Sequence, residues 1–267
     1  VKCIFILFLL LSPSIISQDI KQVRQLKELG KIEEAIQTLN TGKFGAEGER
    51  LLARIYLENE MLEEALKIYT KLCPSLSSHD CYNELAITQA SLEKYPDAIQ
   101  SFQKAIELEP NASTYSSLAQ VYFMNGEIEK AEKTHLKALE MAPMGIIPRI
   151  NYGVFLVKTK KYSRAQTVLN SVLSENKSLY YAELYLGIIH YMKEEYNTAL
   201  IHFNRAIEIN PDYYDLYYHR ALLYYKKGDY SNSLADLEMV DQLFPKNKKT
   251  EAVRKVIKKN IKVQDKI

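Results

Sequence analysis

Glycine and proline are scarce in this chain, nine and eight residues out of 267. That leaves little material for a loop-rich fold and fits helices joined by short turns. Charge of one sign is also lacking: the net charge is only +2, which excludes nucleic-acid binding by bulk charge. The chain has no glycine-rich phosphate loop, no His-Glu-x-x-His and no nucleophile elbow, so the motifs of phosphoryl transfer, zinc hydrolysis and acyl transfer are missing. The chain therefore reads as non-enzymatic and without a cofactor. Histidines are few, and His79, His135, His190, His202 and His219 do not fall at metal-ligand spacing. His190 and His202 sit on the two helices of one hairpin, where a metal pair is one reading and ordinary packing the other.

Cysteine is almost absent too. Cys73 and Cys81 flank one turn, across Pro74 to Asp80. Three readings stand. A disulfide between them would add about 2–3 kcal/mol by closing a short loop. Two separately buried thiols are the second. A zinc site completed by His79 and Asp80 is the third, at a spacing more crowded than the usual ligand patterns.

Long apolar runs are lacking except at the start. Lys2 precedes an unbroken run from Cys3 to Leu11, and Ser12 to Ser17 leads into polar Gln18. The run is shorter than the roughly 20 residues of a membrane span. It has the layout of a secretory signal peptide, residues 1–17, cut after Ser17. The chain is then expected to be exported, to the periplasm or cell envelope. A retained N-terminal anchor is the alternative.

What the sequence does have is a period. Tyr180 to Pro211 reads as two helices joined by a tight polar turn, with Gly187 in the first and Ala199, Phe203 and Ala206 in the second. The same phase recurs every 33 or 34 residues. It gives Ala53 with Ala65, Ala86 with Ala98, Ala119 with Ala131, Gly153 with Ala165, and Ala221 with Ser233. Prolines close several copies at Pro110, Pro143, Pro211 and Pro245, while Lys177 stands in that place in one. A shortened copy holds Gly30 and Ala35. Asp19 is placed to cap its first helix, with Ile20, Val23, Leu26 and Leu29 on one face. Gly42, Gly45 and Gly48 read as the loosest linker of the chain. A hairpin of this size cannot bury its own apolar faces, so stacked copies must do it. Small residues facing each other across each hairpin let its helices approach closely.

These residues resemble the tetratricopeptide repeat family. The resemblance implies an all-α fold, a right-handed α-solenoid of about seven helix-turn-helix repeats over residues 18–245, closed by a basic C-terminal capping helix within 246–267. The family's tryptophan early in the first helix is missing, since the chain has no Trp. Tyr82, Tyr115 and Tyr217 fill that place, whereas Arg149 and Glu183 do not.

The resemblance also implies a function. First helices of such repeats line a concave groove that holds a peptide or helix of a partner protein. Carried across residue by residue, the apolar groove positions are Phe123 and Met124, then Ile147, Ile150, Val154 and Val157. They continue with Tyr181, Leu184, Ile188, Tyr191 and Met192, and end with Tyr218, Leu222 and Tyr225. Earlier units offer Glu47, Arg50, Arg54, Leu57, Glu58, Asp80, Asn83, Ile87, Ala90 and Ser91, a mostly polar set. The expected function is a scaffold that binds a protein segment in the apolar part of the groove. From Lys246 onward nine basic residues face two acidic ones, so the tail is +7 and residues 1–245 sum to −5. Thr250 to Ile261 reads as a helix with Val253, Val256, Ile257 and Ile261 inward. Its lysines are either the wettable end of the array or a face for anionic lipid or polysaccharide.

Overall fold

The computed structural model describes residues 13–42, 44–245 and 249–264. Among them are fifteen helices and no strand. They are α1 (Pro13–Glu28), α2 (Ile32–Thr41), α3 (Gly45–Glu58), α4 (Leu62–Leu76), α5 (His79–Ser91), α6 (Tyr95–Leu108), α7 (Ala112–Met124) and α8 (Ile128–Met141). Then come α9 (Ile146–Lys158), α10 (Tyr162–Glu175), α11 (Tyr180–Met192), α12 (Tyr196–Ile209), α13 (Tyr214–Lys226), α14 (Tyr230–Leu243) and α15 (Lys249–Gln264). The chain forms two compact units, divided within α8 between Thr134 and His135.

In the first unit α1 pairs with α2, α3 with α4 and α5 with α6. Each second helix also packs on the next first helix, and α3, α5 and α7 touch in series. The second unit repeats this with α9 and α10, α11 and α12, α13 and α14. There α9, α11, α13 and α15 succeed one another side by side. This is the stacking that defines an α-solenoid of helical hairpins.

The hairpin turn has one recurring geometry. Two residues past the end of each first helix stands a residue of positive φ: Gly30, Glu60, Glu93, Gly126, Lys160, Glu194 and Gly228. The next backbone N–H then returns to a carbonyl five residues earlier. Glu127 donates to Tyr122 at 2.8 Å and Asp229 to Tyr224 at 2.9 Å. Glycine suits this left-handed position; Glu and Lys occupy it at a cost of about 1–2 kcal/mol.

Packing within each hairpin rests on a small residue at the eighth position of the first helix. A Cβ added to Gly187 would stand 2.5 Å from the ring of Phe203, and one on Gly153 would stand 2.8 Å from Leu169. Phe203 and Leu169 are fully buried. The sequence paired these glycines with Ala199 and Ala165. Their Cβ vectors instead meet the large residue one helical turn further on, because a helical Cα–Cβ bond leans toward the helix N-terminus. Ser233 does touch its expected partner, donating its hydroxyl to the Ala221 carbonyl at 2.8 Å.

Three local expectations change. Residues 1–12 lie outside the described chain, but α1 already starts at Pro13 and runs through the expected cut after Ser17. Asp19 is therefore inside α1 and not its cap. Ile20 and Val23 are buried on its inner face while Leu29 is 65% exposed past its end. Gly45 and Gly48 are not linker: they open α3, with Gly48 packed under the Phe44 side chain, where any larger residue would collide. Proximity to the half-buried Phe44 side chain, and not turn chemistry, explains that glycine.

Cys73, near the end of α4, and Cys81, in the first turn of α5, are bonded to each other with Cα atoms 5.3 Å apart. Both are fully buried beside Tyr69, Leu72 and Leu85. At the other end, α15 sets fully buried Ile257 against Ala221 and Leu237. Thr250 and Arg254 tie it to Asp241 at 2.7 and 2.8 Å. Among the described residues no helix is long and apolar enough to cross a membrane.

Replacing Gly187 by Leu forces a branched side chain into the Phe203 ring. Chemical denaturation should show a loss of about 1–3 kcal/mol. An unchanged unfolding midpoint would show that the helix crossing is not where the close approach lies.

Candidate interaction face

The first helices of the two units carry different chemistry. In the first unit, Arg50 on α3 reaches across to α5. Its Nε and Nη2 donate to Glu84 at 2.9 and 3.0 Å, and Nη2 lies 3.2 Å from Asp80. Arg54 joins the same Glu84 carboxylate, its Nε at 3.1 Å. The hydrogen bond to Glu84 raises the Arg50 pKa further. Asp80 is held below the usual carboxylate range, first by its hydrogen bond to His79 and then by Arg50. His79 Nδ1 faces Asp80 at 3.1 Å, and its Nε2 lies 2.8 Å from both Thr114 Oγ1 and Asn111 Nδ2. This face is polar, as expected, and its charges are satisfied by one another.

Phe123, half-buried, and Met124, 50% exposed, stand at the end of α7 in this unit. The other twelve groove positions belong to the second unit, and they separate into three groups. Ile147, Tyr181 and Met192 are exposed at 61%, 39% and 50%. Ile150, Ile188, Tyr191, Tyr218, Leu222 and Tyr225 are half-buried, with one edge toward solvent. Val154, Val157 and Leu184 are buried and present no face to a partner. Leu184 clusters with Ala199, Phe203, Leu216 and Leu223, so it is spent on joining one hairpin to the next. These three must be struck from the expected groove.

Sequence reasoning missed an aromatic cluster where α11 and α13 begin. Tyr180 and Tyr181 have ring centroids 4.4 Å apart, and Tyr213 sits 5.4 and 5.6 Å from them. Tyr214 stacks on Phe244 at 4.9 Å. The signal was present as two Tyr-Tyr pairs, 33 residues apart. Burial, and then the neighbouring Tyr181 hydroxyl, pushes the Tyr180 phenol up to about 12. The same two causes push Tyr213 up as well.

Charges buried inside the hairpins were also missed. Arg149 is 7% exposed and grips Glu175 with both terminal nitrogens, at 2.7 and 2.6 Å. Arg220 donates to Asp236 through Nε and Nη2, at 2.8 and 2.7 Å, and through Nη1 to Asn204 at 2.7 Å. His190 and His202 stack, with centroids 5.2 Å apart and planes 7° from parallel. Each gives its Nδ1 to its own carboxylate, Glu195 and Glu183. Parallel rings do not converge on one ion, and no group among the described residues could hold a metal.

Family comparisons agree with this architecture. Family models described as tetratricopeptide repeat match residues 79–111, 111–142 and 214–247, and one described as TPR repeat matches 187–228. A crystal structure of a tetratricopeptide repeat protein from Parabacteroides merdae superposes with a TM-score of 0.75 over 91% of this chain and 97% of that one, at 14% identity. The chain is a tetratricopeptide repeat protein.

Two further solved structures share the fold of this tetratricopeptide repeat protein. The APC/C hetero-tetramer Cut9–Hcn1 gives a TM-score of 0.68 at 16% identity, over 88% of this chain and 48% of that one. The pilF protein of Pseudomonas aeruginosa gives 0.58 at 17%, over 78% and 96%. Among curated proteins, the mouse N-alpha-acetyltransferase 16, NatA auxiliary subunit, is 26% identical over 166 residues. That match takes in 58% of this chain but only 19% of the mouse protein's length. As a tetratricopeptide repeat protein, the chain is a scaffold for interaction with other proteins.

The raised phenols make a signed prediction. A tyrosine whose folded pKa exceeds its unfolded value of about 10 favours the folded state below that value. This contribution is lost as pH climbs toward about 12, the Tyr180 value. Stability should fall across that window, and Tyr180→Phe should flatten the fall. Equal slopes in wild type and variant, measured by denaturation at stepped pH, would contradict it.

Proposed function

We propose that the first-helix face of the second unit binds an apolar segment of a partner protein. One observation carries this reading. A row of exposed and half-buried apolar side chains runs across α9, α11 and α13, from Ile147 and Ile150 through Tyr181, Ile188, Tyr191 and Met192 to Tyr218, Leu222 and Tyr225. The matching face of the first unit is occupied by ion pairs that complete one another. Tyrosine supplies contact area with a polar tip, and methionine adapts to an irregular surface. The partner supplies Leu, Ile or Phe, at helical spacing or along an extended strand.

Export is part of the proposal. The Cys73–Cys81 bond supports this part, since disulfides persist in oxidising compartments such as a periplasm or cell envelope.

A second reading rests on α15. Lys255, Lys258 and Lys259 are exposed, and Val256 is 46% exposed among them. Such a helix face suits anionic lipid or acidic polysaccharide. Salt separates the two readings. Binding through the apolar row survives about 0.5 M salt, whereas binding through lysines does not.

The partner is captured by placing a photo-cross-linking residue at exposed Met192 in the full chain. Its affinity is then measured against Tyr191→Ala combined with Leu222→Ala. The account predicts a loss of about 2 kcal/mol or more. Equal affinity of wild type and double variant would move the site to another face.

A further inference from the structure

The fourth residue of each first helix occupies a recurring slot. It is an aromatic at Tyr82 in α5, Tyr115 in α7 and Tyr217 in α13. In α9 it is Arg149, whose guanidinium lies buried in the slot. There the Glu175 carboxylate accepts from Nη1 and Nη2 at 2.7 and 2.6 Å, and the Met144 carbonyl accepts at 3.1 Å. In α11 it is Glu183, which is 6% exposed. The ring is missing there. A cleft of about 570 Å³ opens between α10 and α12 instead. Buried Glu183 and half-buried His202 line its depth, Leu173 and Ile209 form its walls, and exposed Lys177, Arg205 and Glu208 stand at its rim.

The polar groups of this cleft are incompletely matched. Glu183 Oε2 faces His202 Nδ1 at 2.6 Å, and that is the carboxylate's one hydrogen bond among the described residues. Its other oxygen has no donor among the described residues and is free to accept from a ligand in the cleft. Lys177 and Arg205 form no ion pair among the described residues. The cleft therefore offers at depth a carboxylate bonded to the protein through one oxygen, and at its mouth two cations and the Glu208 carboxylate, separated by apolar walls.

We propose that this cleft binds a guanidinium carried by a ligand that also bears a carboxylate: free arginine, or the C-terminal arginine of a peptide. The neighbouring hairpin already demonstrates the fit, since the equivalent slot there holds a guanidinium against a carboxylate. The planar fork pairs with Glu183, the methylene chain lies along Leu173 and Ile209, and the carboxylate meets Lys177 and Arg205. Two of the three rim charges are positive, so the rim's net charge opposes a cation alone. This site lies apart from the apolar row proposed above and stands or falls independently of it.

Isothermal titration of the full chain tests the assignment with three probes: L-arginine, agmatine, which lacks the carboxylate, and a short peptide ending in arginine with a free C-terminus. Saturable binding of L-arginine or of the peptide at a Kd of about 1 mM or tighter is expected, and which of them binds more tightly identifies the source. Agmatine should bind at least about tenfold more weakly. Glu183→Tyr restores the ring found in three other hairpins and should abolish binding while the helical circular dichroism is kept. Lys177→Ala, a change at an exposed loop residue, keeps the test decisive if Glu183→Tyr misfolds. It should weaken arginine severalfold and, by removing a rim cation that opposes agmatine, bring the two affinities closer together. No saturation by L-arginine or the peptide at about 10 mM, or equal binding by a folded Glu183→Tyr, would overturn the assignment.

Discussion

One close approach governs the hairpins of this protein. A residue with little or no side chain sits at the eighth position of a first helix, and a large side chain sixteen residues later fills the space above it. Gly153 meets Leu169 and Gly187 meets Phe203. Ala53 and Tyr69 share one buried cluster, and Ala221 and Leu237 share another. Because the two helices nearly touch, each hairpin behaves as a rigid block. Its remaining apolar surface must then be covered by the next block, which is why Leu184 faces Leu216 and Leu223 across the joint. Stacking follows from packing inside the block, and the exposed face of the first helices follows from stacking.

Within that frame the chain varies its chemistry without altering its backbone. The eleventh position of one hairpin is Gln89, which accepts from Ser101 at 2.7 Å; the same place in another is His190, stacked on His202. The aromatic slot becomes Arg149 in one unit and Glu183 in the next. Desolvating such charges costs several kcal/mol unless they are paired. Arg149 meets that condition through Glu175, whereas Glu183 meets it only in part. Polar first-helix chemistry dominates the first unit, through Arg50, Arg54 and Glu84. Apolar and tyrosine side chains dominate the second.

Much of this was legible in the order of residues. The period of small residues located every hairpin, and the prolines marked several of the ends. What escaped depended on contacts between distant parts of the chain. Val154, Val157 and Leu184 look like groove residues by register but are buried, Leu184 against the next hairpin. Gly48 looked like linker because its neighbour Phe44 gives no sign in sequence that it will lie across it. Glu60, Glu93, Lys160 and Glu194 adopt a left-handed turn that sequence reasoning reserves for glycine; the hairpin's packing imposes it on them. The ion pairs of Arg149 and Arg220 join residues 26 and 16 positions apart, beyond any local pattern.

The governing contact is tested most directly by a double-mutant cycle in urea, with Gly187→Ala, Phe203→Leu and both together. If the Cβ and the ring compete for one space, the smaller leucine relieves the alanine, and the two changes couple by about 1 kcal/mol or more. Strictly additive effects would mean that Gly187 and Phe203 do not share that space, and the hairpin packing described here would be wrong.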